Sequence, residues 1–247
     1  FLNDLWRWDG TNWTWMSGSD AVNQPGTYGT KGIAASGNVP GSRSGAASWM
    51  DTDGSLWLLG GYDTYPSWTG MFDDLWDLGS RNDLWRWDGT NWTWVSGSDD
   101  SHAHSEYGAQ DVPAPGNTPG ARSNTITWTD ATGGLWLFGG VGMRWGSGGR
   151  PLGDLWKWDG TNWTWSSGDG ESASGTYGTK GVASPENHPG WRSSSVSWTD
   201  GGGGRWLFGG STVDDYSIQG FLNDLWRWDG TNWTWMSGSN VPNQLGT

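Results

Sequence analysis

The stretch Asp4-Leu-Trp-Arg-Trp-Asp-Gly-Thr-Asn-Trp-Thr-Trp15 decides how this chain folds. Trp6 and Trp8 stand two apart, as do Trp13 and Trp15, and an extended chain points alternate side chains to opposite faces. Each pair therefore shares one face of its strand. Between them Asp9-Gly-Thr-Asn12 supplies turn chemistry in four residues. Closing that turn sets Trp8 opposite Trp13 and Trp6 opposite Trp15, giving two cross-strand indole pairs on one face. Each such pair contributes roughly 0.2–1 kcal/mol relative to alanines. The same register sets Arg7 opposite Thr14 and Leu5 opposite Met16 on the other face.

The stretch recurs from Asp83, from Asp154 (with Lys157 replacing arginine) and from Asp224, at intervals of 79, 71 and 70 residues. Other landmarks keep step. Pro-Gly-x-Arg segments end at Arg43, Arg122 and Arg192, and Gly-Gly pairs stand at 60–61, 139–140 and 209–210. The excess in the first interval lies between Gly61 and Asp83, where Asp74-Leu-Trp76 precedes Asp83-Leu-Trp85, a local duplication. A period this faithful means one supersecondary unit of about 70 residues stacked on copies of itself.

Each unit carries a second hairpin upstream. Residues 43–49 form its first strand, 51–55 its turn and 56–59 its return, with equivalents at 122–128 and 135–138, and at 192–198 and 205–208. Two hairpins make four strands, from a small-residue first strand (Ser44, Gly45, Ala46, Ala47, Ser48) to tryptophan-bearing last strands. Radial arrays of four-stranded sheets that widen from axis to rim are β-propellers. The expected class is all-β, with tandem four-stranded blades at 41–96, 119–166 and 189–236. Residues 1–19 read as the outer hairpin of a preceding blade, 17–40, 95–118 and 166–188 as long inter-blade loops, and 237–247 as the start of the next loop. Residues 1–19 and 221–239 are identical.

Pro-Gly-x-Arg before the first strand, Gly-Gly after the second, then Asp-Leu-Trp and spaced aromatics resemble kelch repeats over essentially the whole chain. The resemblance implies a galactose-oxidase-like β-propeller, similar to long-repeat bacterial kelch proteins, either closed or as an open propeller-like array. Kelch repeats run near 50 residues; here roughly 25 more lie between the fourth strand and the next first strand. Those segments share a Tyr-Gly core at Tyr28, Tyr107 and Tyr177. Three blades and a hairpin fall short of the four to eight blades of a propeller. The expected partners are therefore further copies or a covalent continuation of the same repeat protein.

Composition agrees with an all-β repeat. Aliphatic residues are few, but 26 tryptophans supply apolar area, each able to bury on the order of 150–250 Å2. The formal net charge of −13 repels nucleic acid and anionic membranes, so neither is an expected partner. No apolar run reaches membrane-spanning length. There is no cysteine, which excludes disulfides and thiolate metal sites.

Candidate chemistry is sparse. The copper chemistry that the family resemblance brings to mind needs tyrosine, histidine and a cysteine cross-link. With no cysteine and three histidines (His102, His104, His188) that inheritance fails, and no cofactor or metal is expected. His102-x-His104 reads as a solvated loop pair, because no repeat copy supports it. Asp51-Thr-Asp53-Gly54 lacks the twelve-residue calcium-loop pattern and reads as a hairpin turn. The segment 26–31 lacks the spacing of a phosphate-binding loop. The indole quartets (Trp6, Trp8, Trp13, Trp15 and their equivalents) read as core, and Arg43, Arg122 and Arg192 as structural arginines needing carboxylate or carbonyl partners. Trp68, Trp145, Tyr28, Tyr107 and Tyr177, in the varied loops, are the candidate ligand residues, with sugar rings as the class that stacks on indoles. Asn12, Asn91, Asn162 and Asn232 begin Asn-Trp-Thr sequons, possible N-glycosylation sites in a host that glycosylates.

These readings lead to a non-catalytic, extracellular or cell-surface repeat protein of adhesion or assembly, filamentous if its open ends continue into neighbours. The alternative is a carbohydrate-binding propeller module, part of a larger enzyme or alone.

Overall fold

The computed structural model describes residues 1–63, 79–101, 103–130, 133–144, 147–168, 174–213 and 219–245. Every regular element among them is a strand. In chain order these are β1 (Leu5–Trp8), β2 (Trp13–Ser17), β3 (Ala47–Met50), β4 (Leu56–Leu59), β5 (Tyr62–Asp63), β6 (Gly79–Ser80), β7 (Leu84–Trp87), β8 (Trp92–Ser96) and β9 (Arg122–Ser123). There follow β10 (Ile126–Thr129), β11 (Leu135–Arg144), β12 (Ser147–Trp158), β13 (Trp163–Ser167), β14 (Val196–Thr199), β15 (Arg205–Val213), β16 (Gln219–Trp228) and β17 (Trp233–Ser237). The chain divides into two compact units, Phe1–His104 with Gly120–Ser123, and Ser105–Pro119 with Asn124–Thr247.

Three antiparallel sheets follow the expected order of two successive hairpins: β3-β4-β7-β8 in the first unit, and β10-β11-β12-β13 and β14-β15-β16-β17 in the second. The lone hairpin β1-β2 also belongs to the first unit. The tryptophan register is uniform. Trp6 faces Trp15 and Trp8 faces Trp13, and the pairs 85/94 with 87/92, 156/165 with 158/163 and 226/235 with 228/233 repeat it. Each turn is held by its aspartate: Asp9 Oδ1 accepts the amides of Thr11 and Asn12, both at 2.8 Å.

Two details differ from the sequence reading. Leu5 pairs with Ser17 rather than Met16, because the ladder slips by one residue between Leu5 and Trp6, and the same slip recurs in the other three hairpins. Leu5 and Met16 both pack on the Trp85, Trp87 and Trp92 cluster. The first strand of the upstream hairpin also begins late, at Ala47 rather than Arg43. Gly45, Asn124 and Ser194 take left-handed backbone at φ 64°, 51° and 56°, which interrupts regular extended pairing, so the arginine is set apart from the strand that follows.

Pleating gives each sheet two apolar faces. In the second unit one face of β10-β11-β12 offers Ile126, Trp128, Trp136, Phe138 and Leu155. Leu207, Trp226, Trp228 and Trp233 of the following sheet cover it, and all nine are buried. Indoles thus replace aliphatics as core. Trp128 and Phe138 meet Trp233 at 6.4 and 5.4 Å between ring centres, and Trp136 meets Trp228 at 5.9 Å.

Candidate functional site

One polar cluster recurs in each repeat, around the aspartate of Asp-Leu-Trp. In the first unit the Arg43 guanidinium donates to both oxygens of Asp83, at 2.7 and 2.8 Å, and to the Gly60 carbonyl at 2.7 Å. Asp83 Oδ2 also accepts the Trp85 indole N–H and the Tyr28 hydroxyl, each at 2.7 Å. The second unit repeats this at Asp224: Arg192 donates twice at 2.9 Å, Trp226 at 2.6 Å and Tyr177 at 2.7 Å. Arg192 also donates to the carbonyls of Gly209 and Pro189. Asp154 likewise accepts from Trp156 at 2.7 Å and Tyr107 at 3.1 Å. Arg122, fully buried, donates through Nε to the Gly120 carbonyl at 3.0 Å.

A buried carboxylate survives when each lone pair finds a donor and an opposite charge stands beside it. Burial pushes the Asp83 carboxyl up, but the Arg43 guanidinium and the Trp85 and Tyr28 donors outweigh it and hold the group below the usual carboxylate range. Tyr28 and Tyr177 are driven the other way. Burial, followed by the negative charge of Asp83 or Asp224, lifts both phenols above their ordinary value. Neither tyrosine is poised to ionise, and each acts as a hydrogen-bond donor.

The tyrosines arrive from the long loops, and each loop belongs to the preceding repeat. Tyr28 enters between Trp85 and Trp94 at 4.9 and 5.0 Å between ring centres, and Tyr177 between Trp226 and Trp235 at 4.9 and 5.1 Å. Tyr107 does the same at Trp156 and Trp165, at 5.2 and 5.1 Å. The loop then runs beside the outermost strand. Gly32 and Gly181 donate their amides to the Trp94 and Trp235 carbonyls, both at 2.7 Å. Asn38, Asn117 and Asn187, all buried, donate to the carbonyls of Trp92, Trp163 and Trp233, each at 3.0 Å. Gly29, Gly108 and Gly178, directly after the tyrosines, take φ of 60°, 64° and 57°, with no room for a Cβ beside the asparagine Oδ1. That explains the Tyr-Gly core. Sequence reasoning missed the asparagines, although they keep the same 79 and 70 spacing as the arginines.

The remaining candidates are placed as follows. Trp68, Trp145 and His102 lie outside the described residues, as does the Asp74-Leu-Trp76 duplication. Asp51 accepts the Asp53 and Ser55 amides and the Trp57 indole N–H, and Asp200 binds Gly202, Gly204 and Trp206 alike. These carboxylates organise hairpin turns. Lys31, in the segment 26–31, donates to the Gly97 carbonyl at 2.7 Å and lies over Trp94. Asn12 is exposed at its turn, whereas Asn91, Asn162 and Asn232 are half-buried. No group of three or more His, Cys, Asp or Glu side chains converges among the described residues, and none of them forms a helix long and apolar enough to cross a membrane.

Among the described residues, the first hairpin has no such arginine or tyrosine partner. Asp4 accepts the Trp6 indole N–H at 2.7 Å, but no tyrosine separates Trp6 from Trp15, whose rings stack at 6.3 Å. Trp6, Trp8, Trp13 and Trp15 are 47, 50, 64 and 49% exposed, where the equivalent Trp226, Trp228 and Trp233 are 0, 3 and 1%.

No known protein family and no curated protein matches the chain in sequence. Among solved structures the chain is similar to the structure of YjhT, with a TM-score of 0.51 at 11% identity over 97% of this chain and 60% of that one. It also matches a protein of unknown function from Dyadobacter fermentans DSM 18053, with a TM-score of 0.48 at 11% identity over 87% of this chain and 57% of that one. The chain thus spans about 60% of the first neighbour's length. At this identity the likeness to YjhT is one of fold.

Proposed function

We propose that this chain is a run of kelch-type repeats from a propeller or open propeller-like array, acting without catalysis in extracellular or cell-surface adhesion or assembly. The observation that carries this reading is the use made of the buried polar groups. Arg43, Asp83 and Tyr28, and Arg192, Asp224 and Tyr177, saturate one another while joining a loop to the next repeat. Large apolar side chains meanwhile stand exposed on the first hairpin and the last sheet. Contiguous exposed indoles mark interaction surfaces.

The test is display of the chain on a non-adherent bacterial cell, scored for cell–cell aggregation and for retention on protein-coated and glycan-coated surfaces. Retention or aggregation above that of the bare cell is expected. No gain in either, or turnover of glycoside or ester substrates by the purified chain, would contradict the reading. Binding of carbohydrate is the second reading. It is favoured by Trp198, 43% exposed and stacked on Trp206 at 6.1 Å with rings 2° from parallel. Retention confined to glycan-coated surfaces selects it.

A further inference from the structure

We infer that two copies of this chain dock head to tail, the indole face of the β1-β2 hairpin of one molecule covering the outer face of the last sheet of the other. The inference rests on the assembly reading and names the surfaces that would carry it. The last sheet repeats the apolar face of the sheet before it: Val196, Trp198, Trp206 and Phe208 stand where Ile126, Trp128, Trp136 and Phe138 stand. In the earlier sheet those four are 4, 6, 6 and 1% exposed, because the next tryptophan hairpin lies on them. In the last sheet Val196, Trp198 and Phe208 are 61, 43 and 45% exposed.

The complementary surface is present in the same chain. Residues 1–19 are identical to 221–239, so Trp6, Trp8 and Trp13 reproduce Trp226, Trp228 and Trp233, the side chains that cover the earlier face. The observed contacts supply the template. Trp13 would take the place of Trp233 against Trp198 and Phe208, and Trp8 that of Trp228 against Trp206. The hairpin brings no equivalent of Leu207, so the copied interface is smaller than the internal one. The two surfaces differ and each copy carries one of each, so every contact joins the hairpin of one copy to the last sheet of another. Each copy carries a net charge of −13, so added salt, by screening that repulsion, strengthens the association.

Sedimentation velocity of the full chain over a concentration series tests this, with two variants whose changes fall on exposed side chains. Val196→Asp with Phe208→Asp blocks one face, and Trp8→Lys with Trp13→Lys blocks the other. The parent chain is expected to self-associate as its concentration rises, and each blocked variant to lose at least tenfold in self-association. An equimolar mixture of the two variants should form a 1:1 pair that grows no further, because each retains the face the other lost. Oligomers that persist in both variants would overturn this docking while leaving assembly by another surface. A parent chain that stays monomeric at every concentration and salt would also overturn it, and display-based adhesion then decides the wider reading separately.

Discussion

The hydroxyl of Tyr28 donates to Asp83 Oδ2 at 2.7 Å across 55 residues of sequence, and the Tyr177–Asp224 bond repeats the relationship two repeats later. A loop of one repeat thereby completes the buried carboxylate of the next. Cohesion between repeats is both apolar, through stacked indole faces, and polar, through this bond.

Loss of one partner of a buried ion pair strands the other. Asp224→Asn or Arg192→Met is expected to lower stability by about 3–5 kcal/mol, since both side chains are fully buried. Asp4→Asn, in a hairpin of identical sequence lacking the arginine, should cost less than about 0.5 kcal/mol, as surface changes do. Urea unfolding followed by tryptophan fluorescence measures the contrast, and equal losses at the two sites would refute the role given to the arginine.

Tyr177→Phe keeps the ring between Trp226 and Trp235 and removes one donor to a charged acceptor, a loss of about 1.5–3 kcal/mol. Tyr177→Ala also empties the slot between the indoles and should cost about 3–5 kcal/mol. The near-ultraviolet circular dichroism of the coupled indoles is expected to change with alanine and to persist with phenylalanine.

The pH dependence has two limbs. Asp83 titrates below its unfolded value, so its contribution is complete above about pH 4 and is lost as pH falls through the lowered folded value. Tyr28 and Tyr177 titrate above theirs, so their contribution is complete below about pH 10 and is lost as pH rises towards the folded value. Stability measured from pH 3 to 11 should form a plateau falling on both sides. The alkaline fall should shrink in Tyr28→Phe/Tyr177→Phe, and an unchanged fall there would contradict the assignment.

Two glycines separate local strain from crowding. Gly89 and Gly97 both have positive φ, 98° and 81°. A Cβ on Gly89 meets open space, whereas one on Gly97 would overlap the Asn82 carbonyl. Gly89→Ala should cost about 1–2 kcal/mol from backbone conformation alone. Gly97→Ala should cost several times more, because the obstacle is backbone that cannot rotate aside. Thermal melts of the two variants decide this.

Much of the fold is legible in the spacing of tryptophans. Alternation and the Asp-Gly-Thr-Asn turn suffice for the hairpins, because both are local rules. The slip at Leu5 is not legible, since strict alternation carries no sign of a one-residue shift at the end of the ladder, although the shift recurs in all four hairpins. The fate of Tyr28 was hidden for a different reason. A Tyr-Gly pair in a Gly- and Ser-rich loop carries no local sign of reaching an aspartate 55 residues away. The shared 79 and 70 intervals group Tyr, Asn and Arg from repeat to repeat, and so mark Asn38, Asn117 and Asn187, but the partner aspartates step by 71 and 70.

The central claim is that a tryptophan hairpin of this sequence is protected by its neighbours rather than by itself. Residues 1–19 and 221–239 give the same sequence in two settings, so their intrinsic hydrogen-exchange rates are equal. Exchange measured on dilute protein, using peptides extended past residue 19 or past residue 239 to tell the copies apart, compares them directly. The account predicts slow exchange in β16-β17, held by Tyr177, Asn187 and the preceding sheet, and exchange faster by orders of magnitude in β1-β2. Equal protection of the two hairpins would contradict it.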